Sequence, residues 1–249
     1  MSGSKQPGTL FLIPANISEP IQAEAILPRE VIDTVARLEY FIVEDAKSAR
    51  RFLKAVGTAK PLQELKMREL NEHTPPGAVT ELIQPLLQGM DAGLLSEAGA
   101  PAVADPGAHL IALAHRMRIP VAPLIGPSSL LLALMASGLN GQAFAFHGYL
   151  PANQEGRLRT LRELERESAH RDTTQMFIET PYRNNALLAD IMSACNPHTR
   201  LCIACNLTAA DQLLNTRQIG DWMADLPDLN RRPAVFLLLA PSKKVPHKR

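Results

Sequence analysis

The stretch Leu94–Gly107, LLSEAGAPAVADPG, limits what this chain can fold into more than any other. A short apolar run, Ala92–Leu95, reads as the end of a buried strand. It breaks into small residues, Ser96, Ala98, Gly99, Ala100 and Pro101, and then into Asp105-Pro106-Gly107. Asp caps the orphan N–H groups of a helix start, and Pro tolerates the first helical position. A strand therefore leaves a core, nearly bare backbone crosses its end, and a helix departs. In an open α/β sheet, ligands bind at the carboxyl ends of strands. A loop without bulky side chains lets a ligand reach main-chain hydrogen-bonding groups. The same residues also suit an ordinary strand–loop–helix turn.

The rest of the chain repeats this rhythm. Apolar runs predict strands at Thr9–Ile13, Tyr40–Val43, Asp91–Leu95, Ile119–Leu124 and Phe144–His147, with a weaker one at Leu65–Leu70. Further strands are expected at Met176–Glu179, Arg200–Asn206 and Ala234–Ala240. Helical spacing and caps predict helices at Pro28–Leu38, Ala46–Val56, Pro75–Gly89, Pro106–Met117 and Leu130–Ser137. More are expected at Glu155–Glu167, from Thr180-Pro181 to Cys195, and at Thr216–Ala224. Pro85 predicts a kink or an early end in its helix. Leu130–Ser137 is apolar all round, which predicts burial, with a partner subunit as one candidate cover. Alternating strands and helices predict a mostly parallel sheet covered on both faces, with right-handed connections. The connector near Gly148–Asn153 divides the chain into two α/β lobes, 1–148 and 149–249, with a cleft between them.

Composition removes several classes. The chain has 249 residues, 46% of them hydrophobic, enough for two sizeable cores. Its formal net charge of +1 gives no push toward nucleic acid or an anionic membrane. Three cysteines do not make a disulfide framework. Cys202 and Cys205, three apart on an expected strand, face opposite sides and read as buried side chains rather than joint metal ligands. The histidines show no metal-ligand spacing, so no metal is expected. Val121–Leu139 is interrupted by Pro123, Gly126 and Pro127, so it is not a spanning helix, and the N-terminus has no signal pattern. A soluble cytoplasmic protein is expected. The basic tail SKKVPHKR reads as frayed, with weak attraction for RNA.

Three loops share the small-residue character: Ile13-Pro14-Ala15, Glu97–Ala104 and Gly126–Ser129. In a parallel sheet they leave the same edge and can wall a site for a flat polar molecule with an adenine-like ring. There the backbone supplies most hydrogen bonds and Ser128 and Ser129 two hydroxyls. The usual dinucleotide and phosphate-loop motifs are absent. Glu44-Asp45, at a strand end, are acid/base candidates, with a helix cap as the plainer role for Asp45. His73 sits at another strand end, where a surface histidine is equally natural. Glu179 and Arg183 in ETPYR suit an ion pair that steadies a turn. The arginines of Glu155–Glu167 alternate with glutamates and read as a solvated face.

LLSEAGAPAVADPG resembles the SDAGTPxISDPG motif of the tetrapyrrole methylase superfamily, in its 16S ribosomal RNA (cytidine 2′-O) methyltransferase I branch. PLIGPSSLLLALMASGL resembles PxPGPSAxxxALxxSGL, and FIVEDAKSARRFL resembles IAAEDTRxTRRLL. ELNEHT is similar to xxHEHN, FHGYLPA to FxGFLP, FIETPYR to FYEAPHR, and GTLFLIP to the GTLYxVxTP start. The matches run in order from Gly8 to about Thr208.

The resemblance implies an S-adenosylmethionine-dependent methyltransferase of two α/β lobes. It implies a mostly parallel sheet in the first lobe, a mixed sheet in the second, the cofactor in the cleft between, and a homodimer. By motif position it assigns cofactor contact to Pro14, Gly99, Ala100, Pro101, Ala102, Val103, Ala104, Ser128 and Ser129, and also to Ile178, Leu207 and Ala234. For a ribose hydroxyl acceptor, Glu44, Asp45 and His73 are the candidates for base or substrate orientation, and Arg50 and Arg51 for neutralising phosphate. Two motifs depart. Ala15–Gln22 reads ANISEPIQ where the family has IGNLxD, and Asn206–Gln212 lacks the charges of ELTKxHEE. The chain resembles a shorter, divergent paralogue whose cofactor wall is kept better than its acceptor side. Three readings stay open: a methyltransferase on RNA, one on a small molecule such as a tetrapyrrole, and a non-catalytic S-adenosylmethionine-binding protein.

Overall fold

A computed structural model describes residues 6–242; the basic tail from Lys243 onward lies outside the described residues. The chain forms two compact units, Met1–Ser128 and Ser129–Arg249. The first contains β1 (Leu10–Ile13), α1 (Ala23–Ile26), α2 (Arg29–Arg37), β2 (Tyr40–Val43), α3 (Ala46–Val56) and β3 (Lys66–Glu69). It continues through α4 (Pro76–Leu82), α5 (Gln84–Leu87), β4 (Ala92–Leu95), α6 (Gly107–Arg116) and β5 (Val121–Pro123). The helix expected over Pro75–Gly89 is broken at Ile83, and Pro85 sits in the first turn of the second piece, where its missing N–H is harmless.

The first sheet has order β3-β2-β4-β1-β5, and every pairing is parallel. Its central strands β2 and β4 are buried on both faces, with side chains alternating between the two. Ile13, Phe41, Val43 and Leu95 pack with α1, α2 and α3 residues such as Leu27, Val35, Phe52 and Leu53. Leu10, Tyr40, Ile42, Ala92 and Leu94 pack on the other face with Ile83, Leu86, Leu110 and Ala114. Gly93 is a packing necessity, since a Cβ there would lie 2.5 Å from Ile13 Cδ1 and 2.9 Å from Phe41 Cδ1.

The second unit runs α7 (Ser129–Ser137), β6 (Phe144–Tyr149), α8 (Gln154–Arg171), β7 (Thr174–Ile178), a 3-10 turn (Pro181–Arg183) and α9 (Asn184–Ala194). Then come β8 (Arg200–Cys205), β9 (Leu213–Gln218), α10 (Ile219–Trp222) and β10 (Ala234–Leu239). Its sheet, β6-β7-β10-β8-β9, is mixed, with only β6 and β7 parallel. One face carries Phe177, Leu201, Ile203 and Phe236 against Leu161, Leu187, Ile191 and Trp222. Cys205 joins that cluster and Cys202 does not, as expected for strand residues three apart. The buried Arg157–Asp190 pair, 2.6 Å apart, also receives Gln154, and Arg157 donates to the Ala152 carbonyl, pinning the connector that precedes α8.

The compact units meet at 128/129, twenty residues before the expected 148/149: α7 packs across β8, β9 and β10, and β6 pairs with β7. Two other expectations are corrected. The helix expected at Thr216–Ala224 is a strand through Gln218 and then one helical turn. Pairing with β8 satisfies that backbone, and tertiary context overrides local preference. Finally, α7 is not buried all round within this chain: Ala133 and Ser137 are covered, but Leu131 is 56% and Met135 78% exposed.

Candidate functional site

The first sheet has one place where its connections part. After β1 the chain crosses to β2 over one face; after β4, the neighbour of β1, it crosses to β5 over the other. Such a switch point opens a crevice at the carboxyl ends of the two strands. The three small-residue loops leave the sheet here, on one edge as expected, and they touch. Ala15 and Gly99 exchange two main-chain hydrogen bonds, of 2.8 and 3.1 Å. Gly126 lies so close to Pro14 that a Cβ would fall 2.2 Å from the proline Cγ, and a Cβ on Gly99 would lie 3.9 Å from the Pro127 carbonyl oxygen. Pro14, Gly99–Ala104 and Ser128 therefore share one edge of the first unit. Ser129, covalently next, begins α7 and is counted with the second unit.

The loop after β4 is held in an unusual shape. Gly99 has φ 70°, Ala102 66° and Ala104 63°, the left-handed region. For each alanine that conformation costs about 1–2 kcal/mol. Asp105 holds it, because Oδ2 accepts the Ala102 N–H at 2.8 Å and Oδ1 the Gly107 N–H at 2.7 Å. Asp105 thus stands one residue before the N-cap, Pro106, rather than at the cap itself, and it holds the first helical N–H together with the loop. A Cβ on Gly107 would sit 2.8 Å from the same carboxylate. Among the described residues, the N–H groups of Ala100 and Ala104 meet no protein acceptor, so main-chain donors remain available along the loop.

Glu44, just past β2, ties the same loop from the side. Its N–H donates to the Leu95 carbonyl at 3.0 Å, and its Oε2 accepts the Glu97 N–H at 3.0 Å. Burial, the largest cause, pushes the Glu44 carboxyl above its ordinary range. The Glu97 N–H opposes this, and the charges of Asp105, Glu97 and Asp45 add to it. Asp105 is also raised, by burial first, against the N–H bonds it accepts.

The other candidates are placed differently. Asp45 caps α3 by accepting the Ser48 N–H at 2.7 Å, and that bond is the largest cause lowering its carboxyl. His73 is exposed in the turn after β3, 3.6 Å from Glu72 and two strands from β4. Arg50 and Arg51 are exposed on α3, with Arg51 3.2 Å from Glu19.

In the second unit, Ile178, Leu207 and Ala234 also come to one sheet edge. β10 is antiparallel to β7 and β8, so its start meets their ends: Val235 pairs with Ile178 and Ala234 with Cys205. This edge is filled by side chains. Glu179, 5% exposed, accepts the Thr180 N–H at 2.6 Å and the Arg183 guanidinium at 2.8 Å, the turn-steadying pair expected from ETPYR. Arg232 and Asn206 both bond Asp211. Among the described residues no group of three His, Cys, Asp or Glu side chains is placed to hold a metal, and no helix is long and apolar enough to cross a membrane.

The residue that sequence reasoning undervalued is Asp105. DPG signals a helix start, but nothing local reveals that the same carboxylate reaches back to hold Ala102.

No family model matches the chain. It is 28% identical over 233 residues to the ribosomal RNA small subunit methyltransferase I of Vibrio cholerae, covering 92% of this chain and 76% of that one. The protein of that name from Escherichia coli O157:H7 is 27% identical, with coverage of 98% and 81%. Among solved structures, the methyltransferase CobJ superposes with a TM-score of 0.61 at 16% identity, covering 94% of this chain and 100% of that one. The cobalt precorrin-4 methyltransferase CbiF gives 0.60 at 12%, covering 93% and 94%. These superpositions establish the fold, two α/β units with a parallel and a mixed sheet. The ribosomal RNA small subunit methyltransferase I of Pseudomonas aeruginosa is 30% identical over 234 residues, 93% of this chain and 78% of its own. The chain belongs to the ribosomal RNA small subunit methyltransferase I family.

Proposed function

We propose that the chain transfers a methyl group from S-adenosylmethionine to a ribose hydroxyl of small-subunit ribosomal RNA. The observation that carries this is the convergence of three side-chain-poor loops at the switch point of the first sheet, in a chain of this family. The residues fit the group. From Ala98 to Ala104 no side chain exceeds that of Val103, and unpaired main-chain donors line the stretch. Pro14, Gly99–Ala104, Ser128 and Ser129 hold the cofactor, with Ile178, Leu207 and Ala234 assigned to it in the second unit. Bound there, S-adenosylmethionine supplies an electrophilic methyl on a sulfonium.

The protein's part is alignment, exclusion of water and one proton transfer. A ribose hydroxyl is a weak nucleophile, so a positioned base adds to the rate. We assign that role to Glu44. Its Oε2 is engaged by the Glu97 N–H, while Oε1 has no hydrogen-bond donor among the described residues and takes the hydroxyl proton. Asp45 is committed to the start of α3, and His73 is assigned to substrate orientation. The exposed Leu131 and Met135 of α7 are assigned to a homodimer contact, and the protein to the cytoplasm.

Calorimetry with S-adenosylmethionine, followed by labelled-methyl transfer onto small-subunit RNA and onto a metabolite extract, tests the proposal. Heat of binding and label in RNA support it. Label confined to small molecules replaces the acceptor, and binding without transfer removes the enzymatic reading.

A further inference from the structure

The outward face of α3 breaks the local rules that a solvated helix obeys. Lys47, Arg50, Arg51 and Lys54 follow i, i+3, i+4, i+7 spacing, which puts them within about a 100° arc at 100° per residue. The opposite arc, Ala49, Phe52 and Leu53, is buried against the first sheet. The helix has no acidic residue, so like charges meet at three- and four-residue spacings, where they destabilise. Lys47 also lies in the first turn, the end at which the helix dipole favours anions. The charges nearby neutralise the face only in part. Glu19 reaches Arg51, Glu69 bonds the Ala46 N–H, and Asp45, at the cap, feels the Lys47 charge. Among the described residues no carboxylate lies within 4.0 Å of Lys47, Arg50 or Lys54. A single helix of 11 residues thus carries four cations in a chain whose net charge is +1.

Such a breach with only partial local compensation is what a functional surface shows. The position agrees. α3 begins at Ala46, directly after Glu44 and the Asp45 cap, on the sheet edge that carries the small-residue loops. α8 is the contrast in charge balance: Arg157 is buried against Asp190, and the exposed arginines 159, 162, 166 and 171 share their helix with Glu155, Glu163, Glu165 and Glu167.

We propose that the cationic face of α3 is the surface on which the ribose-phosphate backbone of the RNA substrate docks, beside the proposed methyl-transfer site. This rests on the proposed RNA acceptor and extends it beyond Arg50 and Arg51 to Lys47 and Lys54. Phosphate neutralisation releases counterions, so affinity falls with salt by about 0.7 in log–log slope per contact on single-stranded RNA.

The test measures binding of full-length protein to small-subunit ribosomal RNA from 50 to 400 mM salt (about the accessible range for such slopes), for the wild type, for K47A/R50A/K54A and for R159Q/R162Q on α8. The α3 variant is expected to lose about 2 from the slope and about fiftyfold in affinity at physiological ionic strength, on this RNA and on an unrelated RNA alike. Its affinity for S-adenosylmethionine and its melting temperature should hold, since exposed like charges are being removed. The α8 variant should bind as the wild type does. An unchanged slope in the α3 variant, or an equal loss in the α8 variant, overturns the docking face while leaving methyl transfer to RNA standing. Absence of both RNA binding and RNA labelling in the wild type overturns this proposal together with the reading on which it rests.

Discussion

The two sheets end in opposite ways. At the carboxyl edge of the first, main chain is left uncovered, and two carboxylates, Glu44 and Asp105, hold it in shape from behind. At the comparable edge of the second, charged and polar side chains occupy the space themselves: Glu179 with Arg183, and Asn206 and Arg232 with Asp211. The difference follows from topology. A parallel sheet sends every connection away over a face, so two neighbouring strands with divergent connections leave their ends bare. In a mixed sheet the return strand begins where its neighbours end, and loops from both directions crowd the same edge. Main-chain donors, once exposed, also need a scaffold that keeps alanines in a left-handed conformation.

The sharpest way to break this contrast is at Glu44. If it is the base, E44Q lowers kcat by about 100- to 10,000-fold in single-turnover methyl transfer while S-adenosylmethionine affinity stays near the wild type. Because burial holds its carboxyl above the ordinary glutamate range, the base becomes active only at higher pH. The acid limb of the wild-type pH–rate profile should therefore lie above the ordinary glutamate range and vanish in E44Q. The same shift means the folded chain holds this proton more tightly than the unfolded one. Its contribution to stability is full below pH 4.5 and fades as pH rises through the folded value.

Next in size is the scaffold of the second unit. R157A leaves Asp190, 3% exposed, as a buried carboxylate without its cation and held by Gln154, for an expected loss of about 3–5 kcal/mol in urea unfolding. The first unit's edge should be unaffected in geometry, so cofactor affinity measured below the unfolding range should hold.

The scaffold of the first edge is expected to show the reverse pattern. D105A removes two charge-assisted hydrogen bonds from the loop after β4. S-adenosylmethionine affinity should drop about 10- to 100-fold, with a smaller effect on stability than R157A. Adding A102G, which reaches φ 66° without the alanine penalty, should restore part of that affinity. No restoration would mean that Asp105 acts otherwise than by holding Ala102.

The smallest effect belongs to Asp45. Asparagine caps helices as well as aspartate does, so D45N should leave stability and turnover within about twofold of the wild type. A large loss of turnover would return Asp45 to the catalytic list.

Much of this was legible in advance because its causes are local. Apolar runs alternating with amphipathic stretches gave the first unit's strands, since a strand buried on both faces needs continuous apolar residues, as Tyr40–Val43 and Ala92–Leu95 show. Asp45 before Ala46 was readable as a cap because capping involves neighbours in sequence. The small-residue loops were readable because glycine and alanine have few other reasons to cluster at a strand end. Thr216–Gln218 was not, because its strand conformation is imposed by pairing across a hairpin with β8, Thr216 opposite Cys202 and Arg217 opposite Leu201. Nor was the exposure of Leu131 and Met135, since an apolar helix says nothing about which of its sides a given chain covers.

Sequence by itself determined the alternation of elements, the parallel character of the first sheet, the bare loops and the family motifs, because each is written in residues near one another along the chain. Only the tertiary structure decided that Ala15 meets Gly99, that Asp105 reaches back to Ala102, and that Glu44 receives the Glu97 N–H. It also decided where the units divide. The physical reason is range. Propensity and capping act within a few residues, whereas the order β3-β2-β4-β1-β5 brings together loops tens of residues apart, and their proton affinities and backbone shapes exist only once they touch.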